Sequence, residues 1–168
     1  MDVRFINPFI SAIRNVFSTM VRTEVTIGKP QVRPGDLCSA DVSGVIGLSG
    51  DATGAVVLSF PKVVACKIAS MFAGAELSLE HPDFTDAIGE LANMVAGNAK
   101  KDFSGLNVSI SLPSVIVGAG HQVSQLRNSV QLVIPCQTPM GPFNVEVAMV
   151  AHKKAAAQNR PAAVGVST

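Results

Sequence analysis

Two polar residues three apart, Glu90 and Asn93, stand in the segment GELANMVAGNAK, residues 89–100. Side chains at i and i+3 are neighbours on a helix surface, so a carboxylate and an amide spaced this way can reach a common point. The amide can donate to one atom and accept from another, as holding a water molecule for attack requires, and the carboxylate can pair with a cation. Neither group is a strong nucleophile or base by itself. The pair therefore reads as a supplement to another molecule's active site, although its spacing equally fits two ordinary surface residues.

A helix over about 84–104 must carry them. Taking about 100° per residue from Phe84, Ile88, Leu91 and Val95 fall within roughly 40° of the origin, with Ala92 and Ala99 beside them. This is the predicted buried stripe. Asp86, Gly89, Glu90, Asn93, Gly97 and Lys100 gather about 140° to 240° round the wheel, as a predicted solvent-facing strip open to a partner. A glycine inside a helix costs about 1 kcal/mol relative to alanine. Two on one strip suggest a close approach, either by a second protein or by a strand or helix of the same chain. Asn98 falls near the buried edge and is expected to make a structural hydrogen bond. Lys100 and Lys101 occupy a helix end that favours cations, and they could also steer an acidic partner.

Around this helix the pattern predicts an α+β domain, with long helices packed on a mostly antiparallel sheet in the order α-β-β-β-α-α-β-β-β. Asn7-Pro8 marks the start of a first helix running to about residue 21, with Asn7 as cap and apolar Phe9, Ile13, Val16, Phe17 and Met20 on one face. An edge strand over 24–32 is interrupted by Gly28 and Pro30. Residues 38–60 read as a hairpin turning at Gly50-Asp51, and Gly44, Gly47 and Gly54 hint at bulges or close backbone contacts. Pro61 opens a second helix that ends at Gly74. Strands over 108–117, 129–135 and 143–152 follow the third helix, the last two joined by QTPMG. The expected domain spans 1–153; the tail from 154 carries no apolar periodicity and is expected to be disordered. No convincing internal repeat is visible.

Composition narrows the function. Thirteen basic and 12 acidic side chains give a formal charge of +1, and the aromatics are eight Phe without Tyr or Trp, which disfavours nucleic acid. Asp2, Arg4 and Arg14 interrupt the N-terminal apolar residues, and no apolar run approaches the roughly 18 residues needed to span a bilayer. A cytoplasmic protein without membrane insertion is expected. Cys38, Cys66 and Cys136 are far apart and read as reduced core residues. His81, His121 and His152 each lack a second ligand at helical spacing, and the glycines of VIVGAGH lack the Lys-Ser/Thr of a phosphate-binding loop, so no metal or cofactor site is predicted.

GELANMVAGNAK resembles the signature of the CheX family of bacterial chemotaxis phosphatases, relatives of CheC and the flagellar switch phosphatases, whose mark is Glu-x-x-Asn on an exposed helix. Here that is Glu90-Leu91-Ala92-Asn93. The opening INPFISAIRNVFSTM, the following GKP and the order of elements are also similar to the family, over all but about the last fifteen residues. The resemblance implies hydrolysis of the aspartyl phosphate of a CheY-type response regulator. Asn93 would enter the regulator's active site and orient the attacking water; Glu90 would pair with the regulator's active-site lysine. Mg2+ would be held by the regulator. The resemblance also implies a homodimer. CheC-like proteins tend to carry two Glu-x-x-Asn sites, whereas this chain has one, which favours CheX. Two other readings share the fold: a noncatalytic module docking a response regulator or flagellar switch component, and a homodimer seam along the glycine strip.

Overall fold

Asn7 and Pro8 open the first helix of the computed structural model, which describes residues 5–33, 40–124 and 129–152. Cys38 and the tail from 154 lie outside the described residues. Helix α1 (Asn7–Val16) begins at the residue expected to cap it: Ile6 is the N-cap, Asn7 makes no capping bond, and the Ile6 carbonyl accepts from the N–H of Phe9 and Ile10. Pro8 sits in the first turn, where its missing N–H costs no helix bond. The helix continues as a π-helical turn, Phe17–Val21, and ends at Arg22 in the left-handed region.

Beyond it come β1 (Thr26–Ile27), β2 (Gln31–Val32), β3 (Ala40–Gly50), β4 (Ala52–Phe60), α2 (Lys62–Ala73), α3 (Phe84–Lys101), β5 (Val108–Ile110), β6 (Ser114–His121), β7 (Gln131–Thr138) and β8 (Gly141–Ala151). The architecture is the expected α+β one, with three helices on an antiparallel sheet, but two predicted strands are each divided. Gly28 and Pro30 separate β1 from β2, and Pro113, which cannot donate to a ladder, precedes β6. The third helix ends at Lys101 rather than near 104. Gly50, with φ of +107°, makes the β3–β4 turn, and Gly74, with φ of +70°, ends α2.

The strand order is β1-β7-β8-β4-β3-β5, with β2 also on β7 and β6 also on β3. This order is palindromic. A helix, a divided strand and a hairpin (α1, β1 and β2, β3 and β4) match a second set (α3, β5 and β6, β7 and β8), and each set's divided strand pairs with the other set's hairpin. The topology thus repeats although the sequence shows no repeat. The two sets meet where β4 runs antiparallel to β8, pairing Val56 with Val147 and Leu58 with Val145.

Alternate side chains of the central strands, among them Val42, Ile46, Val56, Leu58, Val145 and Val147, join Phe9, Ile13, Phe84, Ile88, Leu91 and Val95 of the helices in one buried cluster. Phe143 stacks on Phe17 and Phe60 at centroid distances of 4.8 and 5.2 Å. Because strand side chains alternate, Ser43, Ser59 and Glu146 point to the other face, where they are also buried. The Glu146 carboxylate accepts from Ser59 Oγ at 3.0 Å and Gln131 Nε2 at 2.6 Å, and lies 3.3 Å from the Arg33 guanidinium. A buried carboxylate needs such partners, because removing one leaves an uncompensated charge.

Candidate functional site

Helix α3 is held on three sides. Beneath it, Gly44 of β3 admits the helix backbone: a Cβ at Gly44 would lie 3.0 Å from Ala92 Cβ and 3.3 Å from the Ile88 carbonyl oxygen. A side chain here would fit only if the helix gave way by a few tenths of an ångström. On one flank, Asn15 of α1 donates to Asn98 Oδ1 at 3.3 Å, while Asn98 Nδ2 donates to the Met94 carbonyl at 2.8 Å. Asn98 thus makes the structural hydrogen bonds expected of it. On the other flank, Pro113 of the β5–β6 connection and Val115 of β6 lie against Gly89, with atoms 3.3 to 3.5 Å from where a Cβ would be.

Gly89 is therefore buried, which corrects the expectation that it faces solvent. The chain itself makes the close approach there. Gly97 differs: a Cβ would meet only Ile110 Cδ1, at an ordinary 3.8 Å, so packing within the chain does not require glycine. Asp86, Glu90 and Lys100 are exposed, and Asn93 and Gly97 are half-buried. Asp86 lies in the first turn of α3 and Lys100 and Lys101 in the last, each with the sign the helix dipole favours.

The side chains of Glu90 and Asn93 do converge. Asn93 Nδ2 donates to Glu90 Oε2 at 3.5 Å, the outer limit of a hydrogen bond, so the contact is easily exchanged for a stronger one with an arriving partner. Beside them an open groove of about 570 Å³ is lined by Thr85, Asp86, Gly89, Glu90, Pro113 and Val115. Such an arrangement can present an amide and a carboxylate, from a rigid helix, to a protein surface.

A family model described as chemotaxis phosphatase CheX matches residues 42–137, more than half of the chain and all of the strip on α3. The chain belongs to the CheX family. A CheY-P phosphatase CheX of Thermotoga maritima is 31% identical over 121 residues, which is 70% of this chain and 78% of the relative. The crystal structure of a chemotaxis protein CheX from Desulfovibrio desulfuricans is 33% identical and superposes with a TM-score of 0.81, covering 87% of this chain and 99% of its own. A CheX–CheY–BeF3–Mg2+ complex from Borrelia burgdorferi contains the same fold at 24% identity and a TM-score of 0.74, over 86% of this chain and 97% of the matched one.

In this CheX-family chain the remaining chemistry-bearing residues are occupied locally. His121 Nε2 lies 2.8 Å from Ser43 Oγ and its Nδ1 2.7 Å from the Gly118 carbonyl oxygen. His152 contacts Thr53 Oγ1 at 3.1 Å, and His81 Nδ1 accepts from the Asp83 N–H at 3.2 Å. Among the described residues no group of three or more His, Cys, Asp or Glu could hold a metal ion. No helix among them is long and apolar enough to cross a membrane. Cys66 and Cys136 are free thiols, and burial raises the pKa of both, that of Cys136 to about 12. Sequence reasoning missed the Ser111-Leu112-Pro113 wall beside α3, having read 108–117 as one strand. Pro113 was the signal that a ladder could not continue through it.

Proposed function

We propose that this chain is a phosphatase that accelerates hydrolysis of the aspartyl phosphate of a CheY-type response regulator. The observation that carries the reading is the convergence of Glu90 and Asn93 on the open strip of a helix fixed on its other sides, in a chain of the CheX family. Phosphoryl transfer asks an enzyme mainly for positioning and charge stabilisation. The regulator brings the phosphoryl group and Mg2+, so this chain needs no cofactor of its own. Asn93 enters the regulator's site and holds water in line with phosphorus, accepting a hydrogen bond from it at Oδ1 and donating one from Nδ2 once the long contact to Glu90 is given up. Glu90 then pairs with the regulator's active-site lysine. Asp86, Gly97 and Lys100 border the contact, and Gly89 floors the groove beside it.

The Thermotoga maritima relative is named for CheY-P, and the Borrelia burgdorferi relative is found bound to CheY, which supports a CheY-type partner here. A homodimer acting in the cytoplasm completes the reading.

The deciding experiment follows the decay of a phosphorylated CheY-type regulator with Mg2+, alone, with catalytic amounts of this protein, and with Asn93→Ala. Decay accelerated by the wild type, with the saturated rate lost in the variant by about a hundredfold or more and affinity little changed, supports the reading, since the amide acts chiefly in the transition state. A complex that forms without faster decay, across a panel of regulators, would establish a docking module instead.

A further inference from the structure

The span Ile110–Pro113 follows α3 along one flank: Ile110 packs beside Gly97, and Pro113 beside Gly89. These glycines are eight residues apart in the helix, about 12 Å along its axis. Asn93 lies midway between them. Ser111 and Leu112, in the middle of the span, therefore stand near the level of Asn93. Leu112 is 88% exposed, more than any other large hydrophobic side chain among the described residues.

Its backbone is nonetheless fixed. Ser111 N–H donates to the Gly47 carbonyl at 2.9 Å, Gly47 N–H donates to Ser111 Oγ at 2.9 Å, and that hydroxyl donates to the Leu112 carbonyl at 2.7 Å. Pro113 packs on the helix directly after it. A leucine on a fixed backbone beside a docking strip is partly preorganised for burial, since only its side-chain rotamers remain to be ordered when a partner covers it. The footprint of a partner can also be estimated. A stable interface buries about 800 Å² per partner, a disc of roughly 16 Å radius. Leu112 is bonded to Pro113, which packs on Gly89, one helical turn from Asn93, so it falls inside that disc.

We infer that Leu112 is a preformed hydrophobic anchor for the response regulator that Asn93 serves, taking an apolar patch on the regulator face that carries the phosphorylated aspartate and setting affinity and choice of regulator. The inference rests on the proposed phosphatase reading and adds to it a contact remote from the phosphoryl group. A second copy of this chain seated on Leu112 would crowd the Glu90–Asn93 strip by the same footprint.

Leu112→Ser and Leu112→Met test it, in single-turnover decay of a phosphorylated CheY-type regulator with Mg2+ over a range of phosphatase concentrations. Thermal melts and sedimentation run in parallel. For Leu112→Ser the half-saturating concentration should rise about tenfold or more, while the saturated rate, melting temperature and oligomeric state stay unchanged. Leu112→Met should restore most of the affinity. Unchanged half-saturation in Leu112→Ser beside an active wild type would refute the anchor and leave the phosphatase reading intact. An altered oligomeric state with unchanged affinity would refute it in favour of a second copy. A wild type that neither binds nor hydrolyses any regulator would overturn both.

Discussion

Gly97→Ala separates what the glycine does for the fold from what it does for a partner. Within the chain the added methyl meets only Ile110 Cδ1, at 3.8 Å, with no clash to relieve. The intrinsic gain of alanine over glycine in a helix interior, about 1 kcal/mol, should therefore appear almost in full. For a protein of this size that raises the melting temperature by about 2–4 °C. On the partner side the methyl projects one turn from Asn93, into the strip that a regulator would cover. Forcing a methyl into a well-packed contact costs about 1–3 kcal/mol, so the half-saturating regulator concentration should rise by about tenfold. The assay pairs a thermal melt with phosphoregulator decay. A variant that is more stable and equally active would refute the idea that glycine is kept there for the partner. A variant that is less stable would refute the packing argument itself.

Glu90→Ala should raise the half-saturating concentration while sparing the saturated rate, and the gap from wild type should narrow at high salt if a charge contact carries the affinity. Gly44→Ala should cost about 1–3 kcal/mol in urea unfolding, because its Cβ would meet Ala92 Cβ at 3.0 Å and the Ile88 carbonyl at 3.3 Å; a gain in stability would mean that α3 lifts freely. Burial pushes the Cys136 thiol from an ordinary 9.0 up to about 12, so above pH 9 the folded state keeps a proton that the unfolded state loses. Stability should therefore fall between the two values by up to about 1.4 kcal/mol per pH unit from this group. The stability advantage of wild type over Cys136→Ala should shrink between urea melts at pH 8 and pH 10, and a constant advantage would contradict the linkage.

Local rules, acting over one or two turns of chain, were enough to read much of this protein from its sequence. Apolar residues recurring every three or four positions marked the helices, and Pro61, Gly74 and Gly50-Asp51 marked where elements begin and end, because those residues restrict or free the backbone wherever they occur. The approach of Glu90 to Asn93 was legible for the same reason, since the i, i+3 geometry belongs to any helix. Tertiary contact decided the rest. Gly89 and Gly97 look alike on a helical wheel, but only Gly89 is covered, because Pro113 comes from a segment more than twenty residues later in the sequence. Gly44 became a helix seat through its contact with Ala92 of α3, and the palindromic sheet arose from pairings between distant strands that no local period records. The charge of Glu146 is likewise tolerable only because Arg33, Ser59 and Gln131 are brought to it from three other strands or their ends. A sequence window can register the type of each residue. The neighbour that gives a glycine or a buried carboxylate its role is supplied by chain folded back from far away.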